Sequence, residues 1–201
     1  MPDFAITKKS RAVVIIPFQP HWADNFGQIA RHIRNLVGHA AIRIDHIGST
    51  AVPALGAKDV IDIQVTVPDL EEAGGVTNPL RDAEFRQGTA FQYDVFHSKL
   101  EADSELRKLF MREPEGERRA HIHIREVGRF NQRFALLVRD YLRSSENVRA
   151  EYELFKRQAS QLFPENIDGY LSLKDPVEHI IYAAASLWSE KVKWSPDKDY
   201  L

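Results

Sequence analysis

The nine residues "DVIDIQVTV", 59–67, constrain this chain more than any other stretch. Side chains of a strand alternate between its faces. Ile61, Ile63, Val65 and Val67 therefore share one face, and Val60, Asp62, Gln64 and Thr66 share the other. The first face is a β-branched surface that must be covered. The second carries a carboxylate and an amide, which face a cleft or water. An acid in so apolar a strand is costly unless it is paired, bound to a metal or solvated. An ion pair with Lys58 or an arginine is the plainer account.

The stretch before it, "AAIRIDHIG" (40–48), alternates as a second strand. Between the two lies "GSTAVPALGAK". Gly48 lets the backbone turn and expose amides that can hold an anion, and Ser49 and Thr50 add hydroxyl donors. A helix starting there would add favourable partial charge. An ordinary capped turn explains the same residues.

Elsewhere the pattern is mixed. "RAVVIIPF" (11–18) reads as a buried strand that Pro17 and Pro20 stop, after a loose lead-in over residues 1–10. Trp22, Phe26, Ile29, Ile33, Leu36 and Val37 recur at helical spacing, with Gly38 placed as a stop. Residues 68–85 suggest a helical turn, a loop and a short helix. Residues 91–100 and 105–113 are candidate strands. "AHIHIREV" (120–127) alternates strictly, so His121 and His123 share a face. Helices are expected near 131–143, 146–163 and 175–191. The order is strand, helix, several strands, then a helical third, which is an α+β arrangement. It divides into a lead-in (1–10), an α/β core (11–130) and a helical part (131–201) packed on that core.

Composition narrows the function classes. A hydrophobic share of 43% over 201 residues suits a packed core. With 27 basic and 29 acidic residues the net charge is −2, so no global field favours nucleic acid or a membrane surface. There are no cysteines, which excludes disulfides, thiolate metal sites and cysteine nucleophiles. No signal peptide opens the chain, and no run approaches the roughly 18 apolar residues of a membrane span. These features point to a cytoplasmic protein.

Two imidazoles on one strand face can ligate a metal, move protons or contact phosphate. They join Asp62 and Gln64 in one polar cleft only if their strands are neighbours. Arg139 and Arg143 lie four apart on one helix face, where ion pairs with Asp140 are the default. Lys58, Arg119, Arg139, Arg143, Lys156 and Lys174 can line a phosphate cleft if the fold brings them together.

The segment "IDHIGSTAVPALGAKDVIDIQVTV" resembles the signature of the GrpB family. "RAHIHI", "RDYLRS" and "VIIPFQPHWADNF" resemble that family's H-x-H strand, its arginine-rich helix and its opening segment. The resemblance covers residues 12–175. It implies the nucleotidyltransferase-like fold of the DNA polymerase beta superfamily, a mixed β-sheet flanked by helices. In that superfamily a Gly-Ser turn binds a nucleoside triphosphate, and strand acids hold magnesium. Carried over, Gly48 and Ser49 match the turn and Asp62 the first acid. The sequence departs from the pattern at Gln64, where a second acid is expected, and at His121 and His123, where a third is. Asp45 stands where the family usually has Glu. Some members are joined to dephospho-CoA kinase.

The resemblance thus implies a nucleotide-binding transferase that uses ATP and a divalent cation, magnesium, on a small-molecule acceptor. Ser49, Thr50 and Lys58 would hold phosphates, with Arg139 and Arg143 neutralising phosphate or an acidic substrate. Asp62 would bind the metal, with Gln64, His121 and His123 as further ligands and His123 beside Asp62 in catalysis. The alternative is a non-catalytic nucleotide-binding module that has lost its metal carboxylates. An RNA-interacting protein is a third reading, against which the near-neutral charge argues.

Overall fold

The structure, a computed structural model, describes residues 10–88, 92–100 and 102–196. Five strands form one mixed sheet: β1 (Arg43–Ile47), β2 (Ile61–Val67), β3 (Arg86–Gly88), β4 (Leu109–Arg112) and β5 (Ala120–Glu126). Their order is β1-β2-β5-β4-β3. β2 and β5 run parallel; the other neighbours are antiparallel.

The alternation in β2 decides the layering. Ile61, Ile63 and Val65 are fully buried, together with Ile122 and Ile124 of β5. α1 (His21–Val37) and α2 (Gly74–Asp82) cover this apolar face with Trp22, Ile33, Val76 and Leu80. The indole of Trp22 donates to the Asp59 carboxylate at 2.8 Å, which satisfies its one polar atom inside the core. The opposite face carries Asp45, Asp62, Gln64, His121, His123 and Arg125. Over it lies α3 (Phe130–Ser144), followed by α4 (Glu146–Leu162) and α5 (Ile167–Val192). A second apolar cluster, including Val52, Leu55, Val138, Leu142 and Ile181, joins the 49–57 loop to these helices.

Four expectations change. Residues 11–18 form no strand; Ile16 makes a single bridge to Ala57. Val13 instead packs with Ala159, Ile167 and Tyr170 of the helices, Ile16 rests against the sheet core and Val14 stays exposed, so the run makes no buried ladder. Residues 92–100 of the 91–100 segment form turns with one bridge, Tyr93 to Arg107, and Phe91 lies outside the described residues. In 105–113 only Leu109–Arg112 is strand. The last helix begins eight residues early, at Ile167 rather than 175. Asn166 caps it by accepting from the Gly169 amide at 2.9 Å, and Pro176 is accommodated inside. No helix among the described residues is long and apolar enough to cross a membrane.

Candidate functional site

Antiparallel pairing sets Ile47 opposite Asp62, so the turn that follows β1 meets the start of β2. Gly48 has φ +70 and ψ −171, a region essentially reserved for glycine. A Cβ at Gly48 would lie 2.6 Å from Asp62 Oδ2 and 3.0 Å from its Cβ. Glycine is required here twice over, by backbone conformation and by the close approach of the carboxylate. The Gly-Ser-Thr turn and the strand acid, 14 positions apart, are therefore in contact.

Parallel pairing of β2 with β5 places Asp62 opposite His121 and Gln64 opposite His123. His121 Nδ1 lies 3.2 Å, and His123 Nε2 3.9 Å, from Asp62 Oδ1. Phe110 of β4 walls the cluster, its ring edge-on to both imidazoles at 5.4 and 5.3 Å. Burial alone would push the Asp62 carboxyl up, but hydrogen bonds and charge from the two imidazoles hold it well below the usual carboxylate range. Burial, then the neighbouring Lys108 charge, pushes His123 down to about 4, so its ring is neutral at pH 7.

Behind this cluster is a buried polar knot that no sequence pattern announced. Asp94 accepts from Lys108 at 2.5 Å, from Arg125 at 2.9 Å and from Asn131 at 3.0 Å. Lys108 in turn lies 3.4 Å from His123 Nδ1. Asp94 sits in an irregular loop where periodicity says nothing. Only the tertiary pairing of that loop with β4 and β5 gives it a place.

A cationic pocket adjoins the turn. Lys156 of α4 donates to Ser49 Oγ at 3.0 Å and to the Gly56 carbonyl at 2.6 Å. Burial, then the charge of Lys174, pushes Lys156 down to about 7. The same two causes push Lys58 down to about 8, and Arg119 is lowered by burial and by cationic neighbours. Burial would lower Lys174 too, but Glu178 and Asp175 outweigh it and raise it. Crowded, partly desolvated ammonium groups of this kind are stabilised by an incoming anion. Of the six cations considered in the sequence, Lys58, Arg119, Lys156 and Lys174 share this region.

The remaining expected site residues have partners within the fold. The Thr50 hydroxyl lies 3.0 Å from His46 Nε2 and donates to the Val60 carbonyl at 3.2 Å, buried and fully engaged. Arg139 donates to the His46 carbonyl at 3.0 Å and pairs with Asp140 at 2.7 Å. Arg143 donates twice to the Ala51 carbonyl, at 3.0 and 2.8 Å. Both arginines line a separate hollow with Asp45 and His46, tying α3 to β1 and to the turn. Gln64 is fully buried; its amide oxygen accepts from Arg125 at 2.7 Å and its nitrogen donates to the Gln132 carbonyl at 3.2 Å. Gln64 thus braces β2 against β5 and α3, and its oxygen already has a strong donor. Thr50, Arg139, Arg143 and Gln64 are thus engaged by partners within the fold.

The donor set tests the magnesium expectation. Asp62, His121 and His123 offer three ligand atoms within 4.8 Å of one another, so a cation can be shared among them. Magnesium, however, demands near-octahedral oxygen coordination, and the group supplies one carboxylate and two imidazoles. The residues do not fit magnesium.

A mixed sheet with a glycine-tight hydroxyl turn resting on a strand carboxylate defines an α+β protein whose turn has a lysine on its serine. Residues 12–183 match the family model described as GrpB protein, and the chain belongs to that family. A dephospho-CoA kinase of Mycolicibacterium paratuberculosis is 33% identical over 207 residues, 92% of this chain and 48% of that protein. The UPF0157 protein YqkA of Bacillus subtilis is 29% identical, covering 82% of this chain and 45% of its own length. The chain spans about half the length of these curated relatives. The crystal structure of GrpB from Enterococcus faecalis superposes with a TM-score of 0.70 at 24% identity, covering 87% of this chain and 99% of that one. That likeness establishes the shared fold.

Proposed function

We propose that this chain binds a nucleoside triphosphate, ATP being the first candidate, and transfers a group from it to a small molecule. The observation that carries the reading is the contact of the Gly48–Ser49 turn with Asp62, with Lys156 on the Ser49 hydroxyl. Turn amides, Ser49, Lys156 and Lys58 would hold the phosphates, and the β2 acid would stand at the group that moves. His123, neutral at pH 7, has its ring nitrogen available there to hold a cation. Relatives named dephospho-CoA kinase suggest coenzyme precursors for the acceptor panel. The test is turnover of labelled nucleotide against such a panel. Turnover that disappears in Asp62→Asn supports transfer.

A second reading is favoured by Gln64. The second acid position is neutral and built into the core, as in a module that binds nucleotide without chemistry. Tight binding with no turnover of any acceptor would support it.

Both readings predict the same pH dependence of binding. Anion binding needs Lys156 and Lys58 protonated, and their values of about 7 and about 8 lie below the usual lysine range. Between pH 7 and 9 the lysines lose protons while the triphosphate stays ionised. Affinity is therefore expected to fall by at least about tenfold across that interval, with proton uptake on binding. Calorimetry in buffers of different ionisation enthalpy reads the uptake; pH-independent affinity would remove the lysines from the site. Ser49→Ala is expected to weaken binding by about 1–3 kcal/mol if the hydroxyl makes a charge-assisted bond. Unchanged affinity in a folded variant would remove Ser49.

A further inference from the structure

We infer that Asp62, His121 and His123 form a two-histidine, one-carboxylate site for a borderline divalent transition ion of the zinc or cobalt kind, selective against magnesium. The inference rests on the reading of Asp62 as the acid beside the phosphate-binding turn and adds the class of cation to it. The first argument is donor chemistry. Two imidazoles and one carboxylate suit zinc, cobalt, nickel or ferrous iron, whereas magnesium keeps to oxygen. The oxygen of Gln64, opposite His123, already accepts from Arg125 at 2.7 Å.

The second argument is geometry. An ion with tetrahedral ligands at about 2.0–2.2 Å needs them roughly 3.3–3.5 Å apart. His121 Nδ1 and His123 Nε2 stand 3.2 and 3.9 Å from Asp62 Oδ1, and all three ligand atoms lie within 4.8 Å of each other. The register of two adjacent parallel strands fixes these positions, so little rearrangement is needed to close on an ion. Asp62 Oδ2 points to the Gly48 turn, which leaves Oδ1 with the imidazoles.

The third argument concerns Lys108. A ring that binds metal through Nε2 carries its proton on Nδ1, and the ammonium of Lys108 lies 3.4 Å from that nitrogen. Lys108 must then yield this contact and rest on Asp94, its partner at 2.5 Å. Lys108 is a positioning residue whose charge works against the ion. A purely structural lysine would not have that effect.

The test uses the whole metal-stripped chain without nucleotide. Calorimetry with Zn²⁺, Co²⁺ and Mg²⁺ is combined with visible absorption of the Co²⁺ form. One equivalent of Zn²⁺ or Co²⁺ is expected to bind at least about a hundredfold tighter than Mg²⁺, with cobalt bands that report nitrogen ligands. Asp62→Asn, a nearly isosteric change, and His121→Ala, checked for folding by circular dichroism, are expected to abolish it. Lys108→Met is expected to tighten it by about tenfold, since one nearby positive charge is removed. Equal affinity for Mg²⁺, or an equivalent that survives in Asp62→Asn and His121→Ala, overturns the inference. If nucleotide binds the metal-free chain but no transition ion binds, this inference fails and the phosphate reading stands. If the ion binds and nucleotide does not, the metal site stands and the nucleotide reading falls.

Discussion

Asp62→Asn is expected to lower nucleotide turnover by at least about a hundredfold while leaving the chain folded. Charge on the transferring group must be balanced in the transition state, and such electrostatic terms are usually the largest in phosphoryl and nucleotidyl transfer. Asp62 is the carboxylate that faces Gly48, and asparagine keeps its shape while removing its charge. The fold depends less on that charge. Imidazole hydrogen bonds lower the carboxyl in the folded state, so its stabilisation is present above the unfolded value near pH 4 and is lost as pH falls through the folded value. At pH 7 the cost to stability is about 1–2 kcal/mol, because one charged acceptor becomes a neutral one. Turnover and urea unfolding measured on the same preparations check this. A variant that turns over like wild type would remove Asp62 from the chemistry. If the chain only binds nucleotide, metal-free affinity in Asp62→Asn stays level or rises, because a carboxylate facing phosphate has been neutralised.

Gly48→Ala is expected to have the largest effect on stability. At φ +70 and ψ −171 an L side chain is strained by about 1–3 kcal/mol. The new methyl would also sit 2.6 Å from Asp62 Oδ2, and overpacking of this kind costs about 1–3 kcal/mol more. The total is about 2–6 kcal/mol, a large share of the stability of a typical domain. Relief is possible only if Asp62 swings away from His121 and His123, so whatever binding the turn supports should weaken together with stability. Urea unfolding with the midpoint referred to an unchanged slope reads the loss. A loss below about 1 kcal/mol would mean the turn and the acid are not held together as the structure places them.

Gly88 and Gly169 also pack closely against aromatic rings, Gly88 against the Phe110 that walls the cluster, but neither faces Asp62 itself. The importance of Gly48 comes from what lies across from it, and sequence hinted at that only through the family signature. The alternation of β2 and β5 was legible because a two-residue period is imposed by the backbone itself. From it follow the buried isoleucines, the polar face and the pairing of His121 with His123. The helices over residues 130–162 were legible through their apolar spacing, which depends only on near neighbours.

The segments read wrongly had no such local rule. A β-branched run such as 11–18 suits a ladder or an irregular segment equally well, and the tertiary partners left it irregular, with Val13 among the helices and Val14 exposed. Asp94 lies in a loop without period, and its value comes from Lys108, Arg125 and Asn131, which lie 14, 31 and 37 positions away. Thr50, Arg139 and Arg143 carried the right chemistry for phosphate, but long-range carbonyls engage them. By itself the sequence determined the two central strands and their faces, the helices over 130–162 and the chemical inventory of the cleft. Which of those groups meet, and which are consumed in holding strands and helices together, was decided by the parallel β2–β5 register and the packing of α3 and α4. Hydrogen bonds and charges act over a few ångströms of space whatever the distance along the chain.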